Sequence, residues 1–222
     1  KTLAVAETLL GYKLPENTLL VSTSGRYEFR NKGIDLFIEA LNLLNQNNDL
    51  KENILAMVLV PAGHTGPKQE LVSGNNNQNS DESISRYLTH YLHDEEHDPV
   101  LELFKKNNLL NRKDDKVKVM FVPCYLNGYD GVFNLSYYDL LIGMDITVYP
   151  SYYEPWGYTP LESIAFKIPT ITTSLAGFGK WVQARYSGMS NGVTVVERND
   201  SNEAYVAEQI AKAIYQYLIK NE

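Results

Sequence analysis

The chain has 222 residues, 44% of them hydrophobic and 21% charged, which is enough apolar material for one buried core and excludes disorder over most of its length. A formal charge of -7 at pH 7 argues against nucleic acid and anionic membrane surfaces as partners, because both need clustered Lys and Arg. The single Cys124 excludes an internal disulfide and reads as a small buried hydrophobe in a reducing compartment, the cytoplasm by default, and no apolar run is long enough to span a bilayer.

Lys1 stands where an initiating Met would be and no leader pattern follows it, so the chain reads as a piece of a longer protein. Residues 2 to 11 have helical spacing (Leu3, Ala6, Leu9, Leu10) and close on Gly11. Thr18 to Ser24, stopped by Gly25, predicts a first buried strand. Gly33 opens a helix whose apolar residues Leu36, Phe37, Ala40, Leu41 and Leu44 recur at one-face spacing, and Asn53 to Pro61 is a second strand, completing a βαβ unit. From Ala62 to about Ser80 the sequence turns polar and asparagine-rich and predicts a mobile loop. Helices are expected over 81–93 and 98–107, the second opening on an Asp98 cap with Pro99 behind it, and residues 62–112 together read as an insertion. Strands then follow at 117–123, 145–149, 169–172 and 192–196, alternating with helices at 136–143, 159–167, after Gly177, and 201–220. That alternation argues for one α/β domain over 1–222, a Rossmann-like doubly wound parallel sheet.

The stretch Tyr149-Pro150-Ser151-Tyr152-Tyr153-Glu154-Pro155-Trp156-Gly157-Tyr158-Thr159-Pro160-Leu161-Glu162 reads as strand end, loop and helix start. Thr159 is expected as N-cap, Pro160 at the first helical position, and Glu162 closing a capping box. Free backbone N–H groups between Gly157 and Leu161, with the positive end of the helix dipole, would favour a phosphate, and Glu154 and Glu162 flank that spot. Glu162 is adequately explained by the capping box, whereas Glu154, between tyrosines and Pro155-Trp156, has no such local role. The first strand runs into Gly25-Arg26-Tyr27-Glu28-Phe29-Arg30-Asn31-Lys32-Gly33, at the end of the sheet where open α/β folds bind ligands. Arg26 and Lys32 are the cations available there, although surface cations of no special role would look the same.

The two glutamates separated by seven residues resemble the donor-site signature of retaining glycosyltransferases built from two facing Rossmann-like domains. The flanking Tyr152-Tyr153, Pro155-Trp156-Gly157-Tyr158-Thr159-Pro160, Ile171-Thr172-Thr173 and Gly177-Phe178-Gly179 narrow the resemblance to glycogen synthases of the animal, fungal and Bacteroides-like type, over about Thr18 to Arg198. The resemblance implies the C-terminal half of a two-domain GT-B enzyme that moves glucose from UDP-glucose to the non-reducing end of glycogen or another α-1,4-glucan. The N-terminal domain of the same protein, which would hold the acceptor, has no counterpart here, and no cofactor is implied. It further implies that Arg26 and Lys32 meet the diphosphate, that Glu154 meets the donor glucose and Glu162 its ribose, that Trp156, Gly157, Tyr158 and Thr159 lie against the phosphates, and that Tyr137 stacks on uracil. A single aromatic is usual at the last position, and the Tyr137-Tyr138 pair leaves a one-position shift open. A homo-oligomer is left open. The arginine-rich helix that senses glucose-6-phosphate in animal and fungal members is not matched, since only Arg185 and Arg198 lie in the last forty residues.

Other chemistries find less in the sequence. His90, His93 and His97 share a helical face on the expected 81–93 helix and its continuation, but such a polar, acidic segment is more often solvated, and no metal is expected. No Gly-x-Gly-x-x-Gly follows the first strand and no nucleophile elbow is present. Two rivals share the glutamate pair or the fold: a related retaining transferase of the sucrose synthase or mannosyltransferase type, and a non-catalytic nucleotide-sugar or glucan-binding module.

Overall fold

The structure is a computed structural model that describes residues 1–74, 86–186 and 192–220. Its elements run α1 (Thr2–Leu10), β1 (Leu19–Ser24), α2 (Ile34–Asn45), β2 (Ile54–Leu59), β3 (His64–Pro67), α3 (Gln69–Ser73), β4 (His90–Leu92) and α4 (Pro99–Lys106). They continue with β5 (Val117–Val122), α5 (Tyr137–Leu141), β6 (Ile146–Tyr149), α6 (Tyr158–Ala165), β7 (Thr170–Thr173), α7 (Gly177–Arg185), β8 (Val193–Val196) and α8 (Glu203–Lys220). Six strands form one sheet in the order β5-β2-β1-β6-β7-β8, every pairing parallel, and β3 with β4 makes a separate antiparallel pair.

Alternate residues of the central strands enter different cores, because successive side chains point to opposite faces. Ile54, Ala56 and Val58 of β2 and Val117, Val119 and Phe121 of β5 join the core beneath α2, α4 and α8, with Phe37, Phe104 and Ile210. Leu55, Met57 and Leu59, with Met120 and Val122, join the core beneath α1 and α5, with Leu9, Phe133 and Leu141. Burial on both faces is why these strands read as continuous apolar runs and why α2 needs an apolar stripe.

The region between β2 and β5 departs from the sequence expectation. Residues 64–73 of the expected loop hold β3 and α3, and the asparagine-rich 75–80, like 81–85, lies outside the described residues. The helix expected over 81–93 is absent from its described part. Residues 87–89 instead run along the open edge of β5, the Phe121 N–H donating to the Tyr87 carbonyl at 2.7 Å and the Thr89 N–H to the Phe121 carbonyl at 3.1 Å, and His90–Leu92 pairs with β3. An uncovered edge strand leaves backbone donors and acceptors unpaired, and that demand outweighs a weak helical pattern.

In the sheet order the chain reverses direction of growth between β1 and β6, so the loops leaving those two neighbouring strands diverge and leave a crevice at their carboxyl ends. The two loops are held against each other at close quarters. Gly33 has φ 68, and a Cβ built there would lie 2.0 Å from the Pro150 carbonyl oxygen. Only glycine allows the start of α2 to abut the end of β6 in this way. Gly33→Ala is therefore expected to destabilise the fold by about 3 kcal/mol or more in urea unfolding. Gly11→Ala has a similar φ of 78 but nothing within 4 Å, and is expected to cost only about 1 kcal/mol.

Candidate active site

The crevice is built by 25–33 on one side and 150–158 on the other. The Tyr152 N–H donates to the Asn31 carbonyl at 2.8 Å, and the Lys32 ammonium pairs with the Glu154 carboxylate, both side chains largely shielded from solvent. Gly25 lies alongside the Lys32 stem, its absent Cβ position 3.8 Å from Lys32 Cδ and Cε. One of the two cations singled out from the sequence, Lys32, and the first glutamate, Glu154, thus meet directly across the switch point. Arg26 does not join them: its guanidinium is 78% exposed and pairs with Glu28 at 2.9 Å, while Glu28 also accepts from Asn31 at 2.6 Å. Arg26 still lines the adjoining cleft.

That cleft, of about 450 Å³, runs between Ser24, Arg26, Tyr125, Asn127, Tyr137 and Thr159. Its back wall is a chain of hydroxyls. Ser24 Oγ lies 2.8 Å from Tyr137 Oη, Tyr137 Oη 3.4 Å from Tyr149 Oη, and Tyr149 Oη 3.0 Å from Ser163 Oγ, whose hydroxyl donates to the Thr159 carbonyl at 3.1 Å. The chain ties β1, α5, β6 and α6 together at the mouth of the sheet. Burial pushes the Tyr137 phenol well above its ordinary range, so it stays neutral at every working pH. Tyr138, by contrast, is 46% exposed and donates to Glu162 Oε1 at 3.0 Å.

That last bond corrects the expected cap. The helix begins at Tyr158, with Gly157 (φ 99) as its N-cap and no side-chain cap bond, so Thr159 and Pro160 lie inside the first turn. Glu162 carries no capping duty because its carboxylate is engaged by Tyr138 from α5. The backbone N–H groups of Tyr158 and Thr159, in the first turn, have no intrahelical acceptor and lie at the positive end of the dipole. The position of this turn depends on α7. The Gly177 N–H donates to the Glu154 carbonyl at 2.9 Å and the Phe178 N–H to the Trp156 carbonyl at 2.6 Å, an approach that a Gly177 Cβ, 2.1 Å from the Pro155 oxygen, would block. Trp156 packs edge-on to Phe178 and Trp181, while Tyr158 is 71% exposed. His90, His93 and His97 share no helical face: His90 is buried on β4, and His97 is exposed beside Asp94.

Arg198 is the residue the sequence reading missed. It is 5% exposed, its guanidinium donates to the Pro150 carbonyl and lies 5.2 Å over the Tyr152 ring, and its backbone N–H donates to Ser174 Oγ at 3.0 Å. Tyr152 in turn donates to Asp200 at 2.5 Å. Burial lowers the Arg198 pKa and the Asp35 and Glu203 charges oppose that shift. No local pattern marks this role, since a lone Arg after a strand is usually a surface cation.

The architecture is that of one half of a GT-B glycosyltransferase. The chain superposes on WaaG, a glycosyltransferase involved in lipopolysaccharide biosynthesis, with TM-score 0.51 and 20% identity over 97% of this chain and 42% of that one, and on the apo structure of OtsA with TM-score 0.56 and 10% identity over 96% and 41%. The glycogen synthase family profile matches residues 9–76 and 76–222, and the chain belongs to the glycogen synthase family. It is 29% identical to a glycogen [starch] synthase of Neurospora crassa, 30% to one of Caenorhabditis elegans and 29% to the human liver protein, over 93%, 91% and 90% of this chain. It spans only 37%, 38% and 36% of those relatives.

The buried and exposed arginines predict opposite outcomes. Arg198→Met removes the donor to Pro150 and the charge facing Asp35, and is expected to lower unfolding free energy by about 3 kcal/mol. Arg26→Ala breaks only an exposed pair and is expected to stay within about 0.5 kcal/mol of the parent in the same urea titration.

Proposed function

We propose that the chain is the donor-binding half of a retaining glucosyltransferase that moves glucose from UDP-glucose to the non-reducing end of an α-1,4-glucan, the acceptor being held by an N-terminal domain of the same protein. The observation that carries this reading is the contact of Lys32 with Glu154 at the switch point, one turn from the free N–H groups of α6. A nucleoside diphosphate brings negative charge to that place. It competes with Glu154 for the ammonium, and the first-turn amides of α6 share the load. Glu154, released from Lys32, is then free to accept hydrogen bonds from sugar hydroxyls and to face positive charge developing at the anomeric carbon, while Lys32 offsets charge on the departing diphosphate. Gly25 and Gly157 leave this pair uncrowded, since a Cβ at Gly25 would lie against the Lys32 stem and one at Gly157 against Glu154 Cγ.

Arg26 lies on a glycine-flanked loop at the cleft margin, and its swing from Glu28 toward a phosphate needs no change in the fold. Tyr137 lines the cleft and the exposed Tyr138 packs against it with ring centroids 5.4 Å apart, so the pair offers an aromatic surface to a base, and Glu162, bonded to Tyr138, is available to a ribose. The buried free thiol of Cys124 is in keeping with a reducing compartment such as the cytoplasm. Among the described residues no helix is long and apolar enough to cross a membrane.

Calorimetric titration of UDP into the chain tests the phosphate assignment. Weak binding is expected, and Lys32→Ala should reduce it at least about tenfold, the loss of roughly one charge-assisted contact. Equal binding by Arg26→Ala would remove Arg26 from the site, and equal binding by Lys32→Ala would overturn the reading. In the full-length protein, Glu154→Gln should abolish glucose transfer to glycogen while UDP still binds.

A further inference from the structure

We propose that the β3–β4 pair and the turn after β5 form a zinc-type metal site, with His90, Cys124 and Asp130 as ligands and His64 as the fourth. The three ligating atoms lie within 4.8 Å of one another although they come from two separate segments: His90 from β4, and Cys124 and Asp130 from the loop between β5 and α5. His90 is fully buried and Cys124 is 5% exposed. His64 of β3 packs its ring edge-on to His90, centroids 4.9 Å apart. Its Nδ1 is buried without a hydrogen-bond partner. A buried ring nitrogen left unpaired is costly, and a cation is a partner that a neighbouring imidazole, a thiol and a carboxylate all accept as well.

The donor set selects the metal class. One thiolate, two imidazoles and a carboxylate suit a tetrahedral, borderline-soft ion such as Zn²⁺, and suit Ca²⁺ or Mg²⁺ poorly, since those prefer all-oxygen shells. Closing on an ion with bonds of about 2.0–2.3 Å brings the His90, Cys124 and Asp130 ligand atoms roughly 1 Å closer together, and His64 joins by rotating its ring toward them. Outer contacts that orient the ligands are already in place. His90 has Thr89 Oγ1 and the Asp130 carbonyl oxygen at 2.9 Å from its two nitrogens, and it keeps one of these contacts while the other nitrogen turns to the metal. The Asp130 carboxylate is held by the N–H groups of Val132, Phe133 and Asn134. On binding, the Cys124 thiol loses its proton to solvent and the S–H bond is replaced by a metal–sulfur bond. Burial and the Asp130 charge push that thiol up to about 12, so without a cation it stays protonated.

The metal would staple the β3–β4 pair to the loop that supplies Tyr125, Leu126 and Asn127 to the cleft. This inference is independent of the donor assignment, because no residue proposed to hold UDP-glucose takes part.

The chain, stripped with a chelator, is titrated with Co²⁺ and then Zn²⁺. One equivalent of Co²⁺ should bind with a sulfur-to-cobalt charge-transfer band, and Zn²⁺ should displace it. Cys124→Ser should abolish the band and weaken Zn²⁺ binding about 100-fold, and His64→Gln should weaken it about tenfold. His97→Ala, which alters only the exposed histidine beside Asp94, should change nothing. Binding without the thiolate band, binding lost in His97→Ala but kept in Cys124→Ser, or no retained metal would each overturn the proposal. Should Cys124→Ser fail to fold, the band in the parent and its weakening in His64→Gln decide the matter.

Discussion

The structure depends on how closely the exit of β1 and the exit of β6 can approach. The Pro150 carbonyl is the point of closest contact: Gly33 abuts it from one side and the Arg198 guanidinium donates to it from the other. The central pair proposed for donor binding lies beside that contact, Lys32 next to Gly33 and Glu154 on the loop that leaves Pro150. Asn31 pairs with Tyr152, Lys32 with Glu154, and α2 and α6 begin on either side. A side chain at position 33 or a missing donor at position 198 would part the loops and pull the cation from the carboxylate.

Arg198 is a buried cation without a close ion partner among the described residues. It is tolerated because three different contacts share the burden of desolvation: a carbonyl oxygen, a tyrosine face and the more distant Asp35 and Glu203 charges. Its Nε finds no partner, which marks the site as polar but incompletely satisfied. The same arrangement reaches further through Tyr152 to Asp200, so the chain following β8 helps hold the loop that follows β6.

The segment between β2 and β5 supports the crevice from outside. Tyr27 of the first loop donates to Asp98 at 2.6 Å, and the same carboxylate caps α4 through the N–H groups of Val100 and Leu101. The loop carrying Arg26 and Lys32 is thus tied to a helix far away in sequence. Residues 87–89 cover the edge of β5, which would otherwise be open to pairing with another chain. A stretch that looks expendable in the sequence therefore has two structural duties beside the sheet.

Most of the fold was legible from local patterns. The doubly buried strands announce themselves as apolar runs, α2 by its stripe, and α4 by Asp98 and Pro99, whereas the Ser136–Asp139 capping box that opens α5 emerged only in the structure. That the loops bearing Arg26, Lys32 and Glu154 gather at one end of the sheet followed from the parallel βαβ order, since both leave the carboxyl ends of its strands. What sequence could not determine was anything set by distant partners. Thr159 and Glu162 have the letters of a capping box, yet Gly157 with its positive φ starts the helix earlier and Tyr138 takes the glutamate. His90 reads as part of a helix, yet the open edge of β5 draws 87–89 into extended pairing and carries His90 to Cys124 and Asp130. The sequence by itself determined the alternation of elements, the two apolar faces and the loops bearing the charged residues, because these depend on spacing along the chain. Only the tertiary structure decided which cation meets which carboxylate, why Arg198 is buried and where the histidine ends, because those outcomes rest on groups 40 to 122 residues apart in the chain competing for the same few partners.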